Sequence, residues 1–76
     1  MEKTLILTPL YEQDENGWTN ASIREIPGVL TCTPPELDIR EWLVDALREY
    51  CHACQDLGEP LPLGASSVDE LVRAVP

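Results

Sequence analysis

The chain has 76 residues, enough for one small domain, and 43% of them are hydrophobic, which is too many for a disordered segment. Its formal net charge is −9 and it has only five Lys and Arg residues, so direct binding to nucleic acid is not expected. No apolar run approaches the roughly 18 residues that span a bilayer, and the N-terminus does not read as a signal peptide.

A first strand is predicted near the N-terminus. The aliphatic and β-branched run of residues 4–8 indicates a strand that continues to about Tyr11. Pro9 lacks an N–H donor, so we expect this strand at an edge of the sheet or with a bulge. The polar segment that follows ends in Asn16-Gly17, a pair that is typical of a hairpin turn.

Two more strands are predicted before the long helix. Residues 18–26 alternate with period two, which indicates a second, antiparallel strand with one covered face. Trp18 stands with the polar set of that strand, so the pattern leaves open which set faces the core. Pro27-Gly28 is expected to break the strand, and residues 29–32 are expected to form a third.

The dominant predicted element is a helix over residues 36–57. Pro34 and Pro35 precede it, and Gly58 with Pro60 marks its end. Apolar residues recur at spacings of three and four along it, which predicts a buried stripe on one face. The stripe consists of Ile39, Trp42, Leu43, Ala46, Leu47, Tyr50, Cys54 and Leu57.

The remaining residues predict a fourth strand and a second helix. Residues 59–64 are extended and rich in proline, as expected for a short strand on the sheet edge. Ser67 and Glu70 fit a capping box that opens a short helix. We therefore predict an α+β fold of two layers, with three or four mainly antiparallel strands against one long helix. Residues 1–63 would form the domain, and residues 64–76 a short helical tail.

Four short motifs, taken in order, resemble the HicB family of antitoxins. They are Gly17-Trp18, then Ile26-Pro27-Gly28-Val29, then residues 45–50 within the helix, and then residues 58–62. The likeness covers roughly residues 4–63 and concerns the antitoxin domain only. It implies a partial ribonuclease-H-like β-β-β-α-β fold and a role in neutralising HicA, a small basic toxin that cleaves mRNA.

The chain departs from this family at two points. Residues 31–35 replace the usual glycine-aspartate-threonine segment before the helix. The sequence given also ends before the DNA-binding domain that many members carry, so the resemblance does not extend to the repression of an operon. The alternative function is that of a stand-alone homo-oligomer with regulatory or structural use and no toxin partner.

The cysteines and the single histidine raise the possibility of a metal or redox site. Cys51 and Cys54 are three residues apart and could share a helix face, but His52 lies about 100° away from Cys51. Both thiols are near the C-terminal end of the helix, where the dipole disfavours a thiolate. We expect no metal and no cofactor, with Cys54 in the core and Cys51 beside it. Three cysteines, an odd number, favour a reducing, cytoplasmic location.

An enzyme is not expected. Ribonuclease-H-type chemistry needs several carboxylates from strands and helix around Mg²⁺, and Glu25 is the only carboxylate that the predicted strands supply. A small metal-dependent nuclease is a third and weaker alternative. His52 is the only histidine, and no Ser/His/Asp or Cys/His/Asn order is indicated.

The acidic face of the predicted helix is the candidate binding site. Asp38, Glu41, Asp45 and Glu49 are spaced by three or four residues, opposite the apolar stripe. We expect this face to bind a basic HicA-like partner, although the same pattern also fits a charged face that only keeps the chain soluble. The sheet edge near residues 4–10 is a second candidate surface. A homodimer is expected because the core is small.

Overall fold

The computed structural model describes residues 5–76 of the chain. Three strands, a long helix, a 3-10 turn and a short helix follow one another along the sequence. They are β1 (Pro9–Gln13), β2 (Thr19–Ile23), β3 (Ile26–Thr33), α1 (Ile39–Asp56), the turn Pro62–Gly64 and α2 (Val68–Arg73). The three strands form one antiparallel sheet and α1 packs on one of its faces, over β3 and β2, which confirms the predicted two-layer α+β fold.

The β1–β2 hairpin confirms the predicted turn at Asn16-Gly17. Gln13 pairs with Thr19, which leaves a five-residue loop between the strands. Within this loop the Asp14 carboxylate accepts hydrogen bonds from the backbone N–H groups of Asn16 and Trp18. Gly17 has φ +82°, a left-handed conformation that glycine adopts without steric cost. The local sequence therefore determines this turn.

β1 begins later than the sequence predicted. The sheet contains Pro9–Gln13, and Pro9 lies at the start of an edge strand as expected. Residues 5–8 are not in the sheet, and Thr4 lies outside the described residues. Leu7 is nevertheless almost fully buried, and its N–H donates to the carbonyl oxygen of Ala74 at 2.9 Å. The aliphatic run thus joins the core as an extended segment beside the C-terminal residues.

The predicted strand break at Pro27-Gly28 is wrong. The chain turns at Arg24-Glu25 instead, and β3 runs from Ile26 through Pro27-Gly28 to Thr33. The β2–β3 ladder is irregular there, because Ile23 pairs with Ile26 while its neighbour Ser22 pairs with Leu30. Residues 27–29 therefore have no partner in β2, which accommodates the proline without ending the strand.

α1 is shorter than predicted at its N-terminal end. It begins at Ile39 rather than at residue 36, because residues 34–37 form a turn and Asp38 is the N-cap. The helix ends at Asp56, one residue before the predicted end at Leu57. Gly58, with φ +71°, donates its N–H to the Gln55 carbonyl, and Glu59 donates to that of Cys54. This is the hydrogen-bond pattern of a Schellman motif.

The buried stripe of α1 is narrower than the sequence pattern suggested. Leu43, Leu47 and Cys51 are fully buried at spacings of four, and they pack under β2 and β3. The prediction that Trp42 and Leu57 belong to the buried stripe is wrong, since both side chains are exposed. The rest of the predicted stripe packs at its margin and is half-buried: Ile39, Ala46, Tyr50 and Cys54.

The predicted fourth strand is also wrong. Residues 59–64 do not join the sheet, and Pro62–Gly64 form a 3-10 turn in which Leu63 has φ +57°. The β-β-β-α order that the HicB resemblance implies is present, but the strand that should follow the helix is absent from the described residues. A helix occupies its place in the chain order.

The predicted second helix is confirmed as α2. The Ser67 hydroxyl accepts from the Glu70 N–H at 3.2 Å, as the capping box requires. The Glu70 carboxylate binds the hydroxyl and N–H of Ser66 instead of returning to Ser67. α2 packs against α1, and it and the residues that follow add Leu71, Ala74 and Val75 to the one core cluster. Residues 64–76 thus share the core of the domain.

Candidate functional site

The acidic row of α1 lies on the side of the helix that faces away from the sheet. Glu41, Asp45 and Glu49 are all exposed, and each is one helical turn from the next. At about 1.5 Å of rise per residue the row is about 12 Å long. Leu43 and Leu47, on the other side, are fully buried. The row is therefore a continuous negatively charged surface that a partner can reach without disturbing the core.

Asp38 has a structural role at the start of this row. Its backbone is extended, and its carboxylate accepts a hydrogen bond from the Arg40 N–H at 3.0 Å. A carboxylate in this position satisfies one of the free N–H groups of the first turn and interacts favourably with the helix dipole. Asp38 is exposed, so it can still face a partner, but its replacement would also weaken the helix.

One of the two arginines beside the row is held by the C-terminal residues. The Arg40 guanidinium donates to the carbonyl oxygens of Pro76 at 2.7 Å and Val75 at 3.1 Å. Its positive charge is thus directed toward the α2 side of the molecule. Arg48 is also exposed on α1, and it lines a shallow depression together with Arg40, Glu41 and Asp45.

A shallow depression of about 250 Å³ adjoins the acidic row. It is lined by the side chains of Arg40, Glu41, Val44, Asp45 and Arg48. Small-molecule pockets are usually larger, from about 300 Å³, and mostly apolar. The lining of this depression combines the carboxylates of Glu41 and Asp45 with the guanidinium groups of Arg40 and Arg48, so the depression as a whole has no net charge.

The second candidate surface, the sheet edge, lies later in the chain than predicted. The sequence placed it at residues 4–10, whereas the edge strand in this part of the chain is β1, Pro9–Gln13, and β3 forms the opposite edge. All of β1 except Pro9 is exposed. An exposed edge strand can pair with another chain, but Pro9 removes one donor at its start.

The prediction that Cys54 is in the core and Cys51 beside it is wrong, because Cys51 is the more buried of the two. Cys51 is fully buried and Cys54 is half-buried, while Cys32 is exposed. Burial, with a smaller contribution from Cys54, raises the pKa of the Cys51 thiol, which disfavours the reactive thiolate. Within residues 5–76, no three His, Cys, Asp or Glu side chains come together as a set that could hold a metal ion.

The predicted strand carboxylate Glu25 lies in the β2–β3 turn, and it serves a structural contact. Its two carboxylate oxygens accept from the N–H and the hydroxyl of Thr8, both at 2.7 Å. These two hydrogen bonds lower the pKa of Glu25, and the bond from the Thr8 backbone contributes most. The contact joins residues 17 positions apart, so no local sequence pattern could have revealed it.

Searches against protein-family profiles, the curated proteins and the solved structures found no match for this chain. In the part of the chain that the structure describes, no helix combines the length and apolarity needed to cross a membrane.

Proposed function

We propose that this chain is a HicB-like antitoxin, located in the cytoplasm, that binds and neutralises a small basic HicA-type toxin that cleaves mRNA. The observation that carries the proposal is the exposed row Glu41, Asp45 and Glu49 on a chain of net charge −9. A negatively charged rigid helix is complementary to a nuclease whose own substrate, RNA, is a polyanion. Binding there would cover basic residues that the nuclease needs for RNA.

The order of the motifs and of the strands adds support. Gly17 lies in the hairpin turn, Ile26-Pro27-Gly28-Val29 opens β3, and Gly58 ends α1, so three of the four motifs lie at junctions of the fold and the fourth lies within α1. The structure of this chain has the β-β-β-α core but lacks a strand after α1 in the described residues. The proposal therefore rests on the charge of α1 more than on the fold.

The alternative is a homo-oligomer that works without a toxin. Several large apolar side chains on the surface favour it, among them Leu10 and Leu30, which an isolated monomer would leave in water. The two functions make different demands on the acidic row. An antitoxin needs the negative charge of α1, whereas a homo-oligomer of this charge gains nothing from it.

Co-expression with a HicA-type toxin tests the proposal. The variant Glu41→Lys, Asp45→Lys, Glu49→Lys raises the net charge from −9 to −3, because each substitution adds two positive charges. A matched control, Glu15→Lys, Glu59→Lys, Asp69→Lys, makes the same change at exposed positions outside α1. We expect the parent and the control to restore growth and the α1 variant to fail. Equal rescue by both variants would contradict a role for the acidic row.

A further inference from the structure

Within residues 5–76, no element covers the face of the sheet opposite α1. On β2, Ala21 and Ile23 are buried on the α1 side, and the alternation of the strand directs Asn20 and Ser22 to the other side. Their cross-strand partners on this open face include Leu10 of β1 and Leu30 and Cys32 of β3. All three partners are exposed. We refer to this surface as the open face.

The open face is apolar at its flanks and neutral in its centre. Leu10 and Leu30 both pair with Ser22, so they stand on either side of β2, about 10 Å apart. Leu30 is 69% exposed and Leu10 is 49% exposed. The three strands line a shallow depression on this face with a volume of about 590 Å³. Glu12 is the only charged residue among those that line it. Exposed leucines on one face of a sheet, with a single charged residue nearby, form an apolar patch of the kind that marks an interaction site.

The distribution of charge indicates which partner fits this face. A basic protein would be attracted to the acidic row of α1, on the other side of the molecule, rather than to a face with one carboxylate. Two copies of a chain at −9 repel each other when their acidic surfaces approach. The open face has one carboxylate among the residues that line it, so two copies can meet through it with little like-charge contact. Glu12 lies on the edge strand β1, so it can remain in water at the rim.

We propose that two copies of this chain pack open face to open face as a symmetric dimer. The product is a six-stranded sandwich of two sheets with an α1 helix on each outer side. Leu10 and Leu30 of each copy are buried in the interface, Asn20 and Ser22 can hydrogen-bond across its centre, and Cys32 becomes shielded. This dimer does not require the toxin, and it leaves both acidic rows exposed.

The test is the mass of the protein in solution as a function of concentration, measured by sedimentation equilibrium. Leu30→Glu places a carboxylate within the interface, whereas Leu57→Glu adds the same charge at a leucine that is 74% exposed and outside the open face. We expect a dimer for the parent and for Leu57→Glu. Leu30→Glu should raise the dimer dissociation constant by about 30-fold or more, as for loss of a buried apolar contact. Circular dichroism checks that both variants are folded.

The reaction of Cys32 with a thiol reagent provides a second measurement. Cys32 is the one exposed cysteine among the three, so its rate should fall as the parent dimerises and should stay high in Leu30→Glu. A parent that is monomeric at high concentration, or a Leu30→Glu variant that dimerises as well as Leu57→Glu, would overturn the proposal. A monomeric parent whose toxin binding is lost in Leu30→Glu would also overturn it, because the open face would then belong to the toxin.

Discussion

The ring of Tyr50 lies directly on the backbone of Gly28. A Cβ atom placed on Gly28 would stand 2.6 Å from Cε2 of Tyr50, closer than real Cβ contacts come. Gly28 belongs to the stretch of β3 that has no partner in β2, and Tyr50 is half-buried at the margin of the α1 stripe. The absence of a side chain at residue 28 is what lets α1 approach this irregular part of the sheet.

Gly28→Ala should therefore destabilise the fold by moving the Tyr50 ring. Overpacking of this kind typically costs about 1–3 kcal/mol, measured as the free energy of unfolding in urea. The double variant Gly28→Ala, Tyr50→Ala removes the ring that clashes, so it should lose less than the two single changes added together. Strict additivity of the three measurements would show that residue 28 and residue 50 do not touch.

The buried stripe of α1 is tested by a pair of neighbouring residues. Leu47 is fully buried, and Leu47→Ala should cost about 2–5 kcal/mol because it leaves a cavity under the sheet. Glu49 is exposed, and Glu49→Ala should change the free energy of unfolding by less than about 0.5 kcal/mol. Urea denaturation of both variants makes the comparison. Similar losses for the two would be incompatible with the assigned faces of α1.

The thiols give a second test of the same helix. Cys51→Ser places a hydroxyl in the core and should cost about 1–3 kcal/mol, whereas Cys54→Ser at the half-buried margin should cost less. The measurement is again the urea midpoint under reducing conditions. The sequence pattern gave the opposite order, so a larger loss for Cys54→Ser would favour that pattern over the structure.

Thr33 offers a change that should stabilise the protein. Its hydroxyl oxygen is buried without a hydrogen-bond partner within the described residues. Thr33→Val replaces that hydroxyl by a methyl group of similar shape, so the folded state no longer carries an unsatisfied polar atom. We expect a gain of about 1 kcal/mol in urea denaturation. A clear loss of stability would mean that the hydroxyl has a partner, such as a buried water.

The contact between Glu25 and Thr8 predicts that the folded protein loses stability at acidic pH. The pKa of Glu25 is lower in the folded protein than its ordinary value of 4.5. A carboxylate with a depressed pKa contributes stability above its unfolded pKa and loses it as the pH falls through the folded pKa. The parent should lose more stability than Glu25→Gln between neutral pH and a pH well below 4.5. If the parent and Glu25→Gln lose the same stability in acid, the contact between Glu25 and Thr8 does not contribute to the pH dependence.

The sequence was sufficient where local chemistry determines the structure. The turn at Asn16-Gly17, the end of α1 at Gly58 and the cap at Ser67 depend on neighbours within a few residues, and all three are confirmed. The helical period likewise separated Glu41, Asp45 and Glu49 from the core side of α1. These are the residues on which the candidate site depends.

The errors arose where contacts between distant residues decide the structure. The strand continues through Pro27-Gly28 because β2 does not pair with those residues and Tyr50 packs on Gly28. Cys51 is fully buried and Cys54 is half-buried, and which of the two is covered depends on how α1 packs in the fold rather than on helical periodicity. The open face was missed for the same reason, since a period of two cannot tell which side of β2 the helix will cover.

The rate at which this protein associates with a purified, catalytically inactive HicA-type toxin tests the central proposal most directly. Electrostatic steering should make the parent associate fast at low salt and progressively more slowly as the ionic strength rises. The variant Glu41→Lys, Asp45→Lys, Glu49→Lys should associate at least about 10-fold more slowly at low salt and with little salt dependence. The control Glu15→Lys, Glu59→Lys, Asp69→Lys has the same net charge and should stay closer to the parent. If the two variants associate at the same rate, or if the α1 variant matches the parent, the acidic row of α1 is not the docking surface.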